Sequence, residues 1–464
     1  MATATFASML AEAGVTVMVG LELVEVQRSG STLTAVVVSN TTAPTPLPTS
    51  HLSATAFVDA TYEGDLMAAA GVEFTVGREA RSQFGEPFAG RRPLEPGACY
   101  GFPTDVDPRV RPGSTDGELL AMVWPGPVAP IGAGDRKVMS YNYRLCLTNA
   151  TEAAGGARAE IEEPADYSPA LFELGRRLMR AHPPKQLSPE VLKIYPVATS
   201  ADGYKTDVNS AIWPTSTNLV GGSWGYPNGT KRARKAIIAK HISYTKGLMW
   251  FLKTDPDVPP ALRAEMATWA WCGDEFIDNG HFPTQLYVRE GRRMVGAHVL
   301  TQNDTAAVRV PGNASIAVAG YAFDVHPVEI LPTPTTPANG GGERATVEGC
   351  IGPRPPPFEI PYASITPKAS QLRNLLVPTA LSASHVTFAA IRLELTWMAI
   401  GQSAGVAATL AISRGVSVQD VPLTALRELL EAAGQVLAAP PEKAPYAPAS
   451  RDTSPRLPPL SPRF

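Results

Sequence analysis

Two stretches of the chain hold the side chains best suited to chemistry. The first is Phe57-Val-Asp59-Ala60-Thr61-Tyr-Glu63-Gly64-Asp65-Leu66, an apolar strand that runs out into small residues, carboxylates and a glycine. Small residues at a strand end let a flat, charged ligand approach the backbone closely. An ordinary strand end before a helix, where Asp is a common N-cap, has the same composition. The second is Ser382-Ala-Ser384-His385, then Arg392, then Gly401-Gln402-Ser-Ala-Gly405-Val-Ala-Ala408. His385 is an imidazole that can move a proton. Arg392 puts a cation beside a ligand that gains negative charge, or forms a structural ion pair. Gly401, Gly405 and Ala408 share a helix face, which admits close helix packing or close approach of a ligand.

The middle of the chain offers further candidates for a small-molecule substrate. Asp274 and Glu275 could act as acid and base or bind hydroxyl groups, or simply solvate a helix end. Arg289, Arg292 and Arg293 could bind an anion or form structural pairs. His241 and Tyr244 lie at i, i+3 on an apolar helix, where a histidine is more often a satisfied core residue than a site.

These groups need elements to position them. Phe6 to Ala13 reads as a short helix closed by Gly14. Val15 to Val19, Leu21 to Val26 and Leu33 to Val38 read as strands, with a turn at Gly30. Thr41 to Ser50 reads as a loop and Ala54 to Asp59 as a buried strand. Residues 77–135 show few periodic runs. Helices are predicted at 168–182, Lys231 to Leu252 and Leu262 to Trp271. Leu375 to Val377 reads as a short strand, Thr387 to Ser413 as one long apolar helix ending at Gly415, and Leu423 to Leu437 as an amphipathic helix. The compositions of 333–342 and 438–464 point to a flexible insert and a disordered Pro-rich tail.

Composition excludes several classes. The chain has 464 residues, 44% of them hydrophobic, and a formal net charge of -3. No basic stripe marks a nucleic-acid binder. No run of about 18 apolar residues marks a membrane span. Cys99, Cys146, Cys272 and Cys350 are widely separated, so no metal is expected, and buried free thiols are the expectation, with a disulfide left open. Sequons at Asn40, Asn149, Asn228, Asn303 and Asn313 keep secretion open.

Taken together, the segments resemble the FAD-dependent oxidoreductase family whose members are often labelled xanthan-lyase-like. The resemblance runs from about residue 6 to about residue 437. It is carried by DATYEGDLMAAAGVEFTVGREA at 59–80, GGSWGYPNGTKRARKAIIAKHISYTKGLMWFL at 221–252 and CGDEFIDNGHFPTQLYVREGRRMVGAHVLTQND at 272–304. IPYASITPK at 360–368, NLLVPTALSASHVTFAAIRLE at 374–394 and MAIGQSAGVAATLA at 398–411 complete it. The resemblance implies an α/β, glutathione-reductase-like FAD domain split in sequence. Its parts would be residues 1–76 and 359–437, with a substrate-side domain, 77–358, inserted between them. It implies that Asp59, Ala60, Thr61 and Gly64 lie by the FAD diphosphate and ribose. His385, Arg392, Gly401, Gln402 and Gly405 would then lie by the flavin, with His385 accepting a substrate proton during hydride transfer. Tyr62-Glu63 stands where the family often has Gly-Asp.

Such proteins open with a strand, G-x-G-x-x-G and a helix whose N-terminus faces the pyrophosphate. No such motif follows a strand near residue 1, so the chain reads as N-terminally incomplete, which argues against stable FAD binding by this chain alone. Two functions compete: a flavin-dependent enzyme acting on a small organic substrate, possibly carbohydrate-like, and a non-catalytic remnant that binds or scaffolds. A third, uronate-lyase reading would employ the arginines near 289–293 but leaves the flavin-side segments without a purpose.

Overall fold

A computed structural model of the protein describes residues 2–41, 49–93, 99, 106–114, 116–150, 157–197, 205–211, 216–335 and 342–440. The chain opens with helix α1 (Ala2–Glu12) and an antiparallel sheet of β1 (Leu21–Ser29), β2 (Thr32–Asn40) and β3 (Thr49–Ser53). Strand β4 (Phe57–Val58) leads through a turn into α2 (Asp65–Ala69), followed by β5 (Phe74–Thr75) and α3 (Arg81–Phe84). The middle comprises β6 (Leu147–Thr148), β7 (Arg158–Ala159), α4 (Glu173–Ala181), β8 (Leu192–Pro196), β9 (Thr206–Ser210) and α5 (Lys231–Thr254). It continues through α6 (Pro260–Ala267), β10 (Ala270–Cys272) and β11 (Arg293–Met294). The last third holds α7 (Gln302–Ala307), β12 (Ser315–Ala319), β13 (Glu329–Pro334), β14 (Glu343–Glu348), β15 (Phe358–Pro361) and β16 (Leu375–Leu376). Helices α8 (His385–Ile391), α9 (Glu394–Arg414) and α10 (Leu423–Ala432) close it.

The architecture is mixed α/β, with short strands in several small sheets. Strand β4 pairs with β16 in parallel, Phe57 opposite Leu375 and Val58 opposite Leu376, which joins the two ends of the sequence. β10 lies between β6 and β7, and β8 pairs with β9 in an antiparallel hairpin. Three apolar cores follow. One, around Tyr141, Phe172, Tyr244, Phe251 and Phe282, belongs to the middle of the chain. A second packs Ile316, Phe358 and Ile360 against Val386, Ile400 and Leu426. The smallest joins Phe57 and Met67 to Met294, Leu375 and Val377, so residues from all three predicted segments meet in it.

Several elements differ from the sequence reading. Residues 15–19 form no strand, and Val15, Val17, Met18 and Val19 are exposed. Ala54 to Asp59 yields only the two residues of β4, while β3 begins at Thr49, in the last two residues of the expected loop, and runs on to Ser53. The predicted helix at 262–271 stops at Ala267, and Ala270–Cys272 joins a sheet because neighbouring strands are there to accept it. The long helix expected at 387–413 is two helices. Leu393 takes extended angles, φ −77° and ψ 143°, between α8, all of whose residues are buried, and α9, which buries only one face. Helix propensity cannot register that change in packing. Of the expected insert 333–342, Thr333 and Pro334 belong to β13 and pair with Arg344 and Glu343 of β14; 336–341 and the tail from 441 lie outside the described residues. By length and a mean hydropathy of 1.4, α9 could cross a membrane, yet it packs its Ile400, Ala404 and Ala407 face into the second core.

The expectation of free thiols is overturned: Cys99 bonds Cys350 and Cys146 bonds Cys272. The partners are 251 and 126 residues apart, so spacing along the chain held no sign of the pairing. Cys272 sits in β10, and its amide donates to the carbonyl of Cys146, 3.2 Å away, so the bond staples neighbouring strands. Of the sequon residues, Asn149, Asn228, Asn303 and Asn313 are exposed and Asn40 is half-buried. Replacing Cys146 and Cys272 together with alanine should lower unfolding free energy by about 2–4 kcal/mol, measured by denaturant titration. An unchanged midpoint would show that the bond does not form.

Candidate functional site

The parallel β4–β16 pair sends residues 59–64 and 377–384 out of the same end of a sheet, where α/β proteins place ligands. Thr379 Oγ1 ties the two exits by donating to the Thr61 carbonyl at 2.7 Å. Asp59 is buried. Its Oδ1 accepts from the amide (3.1 Å) and hydroxyl (2.7 Å) of Thr61, and its Oδ2 accepts from the Met67 amide at 2.7 Å. Burial raises the Asp59 carboxyl above its ordinary range. Thr61 Oγ1 in turn accepts from the Asp65 amide at 3.0 Å. Both side chains therefore close the turn and cap α2, while Ala60 and Thr61 stay exposed. Gly64 has φ 64°, and an added Cβ would come within 2.7 Å of Met67 Cε, so only glycine fits there. Burial opposes ionisation of Asp65, but Arg234 and Arg292 outweigh it and hold the carboxyl below its usual range.

The segment 289–293 runs past this turn, and its three arginines leave in three directions. Gly291 permits the approach, since a Cβ there would lie 2.8 Å from the Tyr62 carbonyl oxygen. Arg292 donates to Asp65 at 2.7 Å and to the Glu63 carbonyl at 3.1 Å. Arg293 is fully buried between Glu79, at 2.5 Å, and Glu290. Its remaining N–H groups donate to the carbonyls of Gly77 (2.7 Å) and Ala383 (3.0 Å). Glu290 also receives Nδ1 of His385, 2.9 Å from both its oxygens, and Glu79 accepts the His385 amide at 2.8 Å. His385 is thus locked in an ionic cluster, 1% exposed, with Nε2 lacking a partner.

Arg289 points the third way. It is fully buried with no carboxylate partner among the described residues; it donates to Asn218 Oδ1 at 2.9 Å and to the Ser140 carbonyl. Burial, with nearby Arg392 adding to it, pushes the guanidinium down to about 9. Across Asn218 and Asn209 lies a polar cavity of about 330 Å³. One wall is the β8–β9 hairpin, where Lys193 is opposite Asn209 and Tyr195 opposite Asp207, so these side chains share a face. Arg144, also on this wall, donates to Asp207 at 2.9 Å. The other wall holds Tyr321, Asp324 and His326. His326 Nδ1 is 3.2 Å from Asn218 Nδ2 and 3.4 Å from Ser210 Oγ, and Nε2 is 3.5 Å from Asp324. Burial, then the charge of Arg289, pushes His326 down to about 4, so the ring is neutral near pH 7. Burial raises Asp324, but His326 and Arg392 outweigh it and hold the carboxyl far below its usual range.

Arg392 connects this cavity to the α8–α9 joint. Its Nη2 donates to Asp324 Oδ2 at 2.8 Å and to the Asp324 carbonyl at 3.0 Å. The Tyr287 ring lies beneath both Arg144 and Arg289, and Tyr62 meets Trp397 edge-on at 5.5 Å. Three nitrogens around the joint are buried without a partner: His385 Nε2, Arg392 Nε and Trp397 Nε1. Gly401 and Gly405 look onto open space, with nothing within 4 Å of an added Cβ, beside exposed Leu395 and Met398. Among the described residues, nothing packs closely on the two glycines. Gln402 is exposed on the same helix.

The remaining candidates lie elsewhere. His241 is a core residue: Nδ1 donates to the Ile237 carbonyl at 2.8 Å, Nε2 is 3.2 Å from Ser223 Oγ, and burial lowers the ring to about 4. Tyr244 is buried and donates to the Ser216 carbonyl at 2.7 Å. Asp274 and Glu275 both pair with Lys205, and neither lines the cavity. Residue reading missed Asp324, His326, Lys193, Asn209 and Asn218. Their one local sign is alternation, in Asp324-Val-His326 and in Lys193-Ile-Tyr195, which places like-facing polar groups two apart. No cluster among the described residues could hold a metal.

A family model described as FAD dependent oxidoreductase matches residues 1–430. No curated protein and no solved structure matches the chain. Two measurements test the geometry. Arg293→Met should cost about 3–5 kcal/mol of stability, because Glu79 and Glu290 lose their shared cation in the interior; a loss below about 1 kcal/mol in denaturant titration contradicts the buried cluster. His241 binds its proton less readily folded than unfolded, so its contribution falls away as pH drops from about 6.5 to about 4. Thermal melts of His241→Gln should therefore show a shallower loss across that window than the parent. Parallel slopes would place His241 in contact with solvent.

Proposed function

The chain belongs to the FAD dependent oxidoreductase family, and from that premise we propose that the Asp324–His326 cavity is its substrate chamber and the α8–α9 joint its flavin-side wall. The observation that supports this most is the Arg392–Asp324 pair at 2.8 Å, which couples the cavity to the joint where buried nitrogens lack partners. Arg392, Trp397, Gly401 and Gly405 are the residues that would hold the ring system, since they offer unpaired donors and an open, small-residue helix face. FAD, when bound, supplies a two-electron acceptor for a hydride. The chain's own groups do the rest. Arg392 and the amide end of α9 favour negative charge at the joint. His326, neutral and lining the cavity, accepts a substrate hydroxyl proton at Nδ1 once the substrate displaces the Asn218 amide that donates to it, while Asp324 holds Nε2. An alcohol oxidised in this chamber would leave as a carbonyl compound, with its hydroxyl proton on His326 and its hydride on the acceptor that FAD would supply. His385, sealed behind Glu290, is better suited to positioning the start of α8 than to touching substrate.

A second reading also has an observation in its favour. The turn after β4 offers no anion cradle: Asp59 and Thr61 cap α2 with their own oxygens, and Asp65 puts a carboxylate in its first turn. A scaffold that binds without catalysing fits that arrangement. Titration with FAD, followed by flavin fluorescence, separates the two. The redox reading expects quenching on binding, weakened about tenfold or more in Arg392→Met, the loss of a charge-assisted contact. No uptake at saturating FAD favours the scaffold.

A further inference from the structure

The cavity carries more positive charge than its own acids neutralise. Arg144, Lys193, Arg289 and Arg392 surround it, against Asp207, Asp324 and Glu394. Asp207 matches Arg144 and Asp324 matches Arg392. Among the described residues Arg289 has no carboxylate partner, and its Nε has no hydrogen-bond partner. Lys193 stands half-buried on the pocket face of β8 with no ionic partner among the described residues. A buried cation without a counter-charge is costly, and the cost falls when an anion enters beside it. The rest of the lining is uncharged hydrogen-bonding groups, Asn209, Ser210, Asn218, Tyr321 and neutral His326, which suits hydroxyls.

We propose that the cavity takes a hydroxy acid: a ligand whose carboxylate is held at the Lys193–Arg144 side and whose hydroxyl groups face Asn218, Asp324 and His326. This rests on the reading of the cavity as the substrate chamber and names the class of substrate. A single carboxylate, rather than a phosphate, matches the arrangement. Lys193 is one unmatched contact cation at the wall, Arg289 acts from behind the two asparagines, and Asp324 would repel a dianion.

Binding measured by calorimetry at low salt, without FAD, tests the assignment. The probes are D-glucuronate, D-gluconate and L-lactate, their uncharged counterparts D-glucose, D-glucitol and propane-1,2-diol, and inorganic phosphate. At least one acid should bind about tenfold or more tightly than its uncharged counterpart. Lys193→Gln, at a half-exposed position that should tolerate the change, should erase most of that advantage and leave the uncharged probe unchanged. The proposal is overturned if no acid outbinds its counterpart, if Lys193→Gln leaves the preference intact, or if phosphate binds as well as the acids. A chain that takes up FAD but ignores the acids refutes this assignment alone. A chain that binds the acids but no FAD refutes the redox reading alone.

Discussion

The buried guanidinium of Arg293 is the constraint around which the molecule is arranged. A cation sealed from water is tolerated only when opposite charge and hydrogen-bond acceptors surround it. Glu79 and Glu290 supply the charge, and the carbonyls of Gly77 and Ala383 take the remaining N–H groups. These partners come from three distant parts of the chain. Satisfying one side chain therefore fixes the exit of β5, the strand β11 and the approach to α8 relative to one another. His385 is drawn into the same cluster, which is why the residue that looked most reactive in the sequence is sealed from solvent.

With Arg293 fixed, its neighbours have little choice. Extended backbone alternates sides, and Gly291 lets the chain pass close to Tyr62, so Arg292 reaches Asp65 while Arg289 turns toward the cavity. A run that looks like one basic patch thus serves three purposes: an ionic clamp on the turn after β4, a central cluster, and a source of field behind the polar chamber. The chamber and the α8–α9 joint are then linked through Asp324 and Arg392. The break at Leu393 helps this link, because it separates the buried helix that anchors Arg392 from the half-exposed helix whose small residues face outward.

Much of the frame was legible. Local signals such as the turn at Gly30, the helix that starts at Lys231 and the Gly415 stop depend on neighbouring residues, and the structure has each of them. Family-specific blocks at 59–80 and 374–411 also identified the two segments that β4 and β16 bring side by side. The polar cavity was not legible. Its walls come from residues 144, 193, 195, 209–211, 218, 321, 324, 326 and 327, and each looks unremarkable alone.

By itself, the sequence determined what depends on near neighbours and on long ordered motifs: the family, the principal helices, the mixed α/β character and the short list of groups able to do chemistry. Only the tertiary structure decided which of those groups meet. It paired the cysteines, divided three adjacent arginines among three tasks, buried His385 and exposed His326 to a cavity. The physical reason is that solvation, ion pairing and disulfide formation are set by distance in space, and the contacts that decide them here join residues from 68 to 251 positions apart.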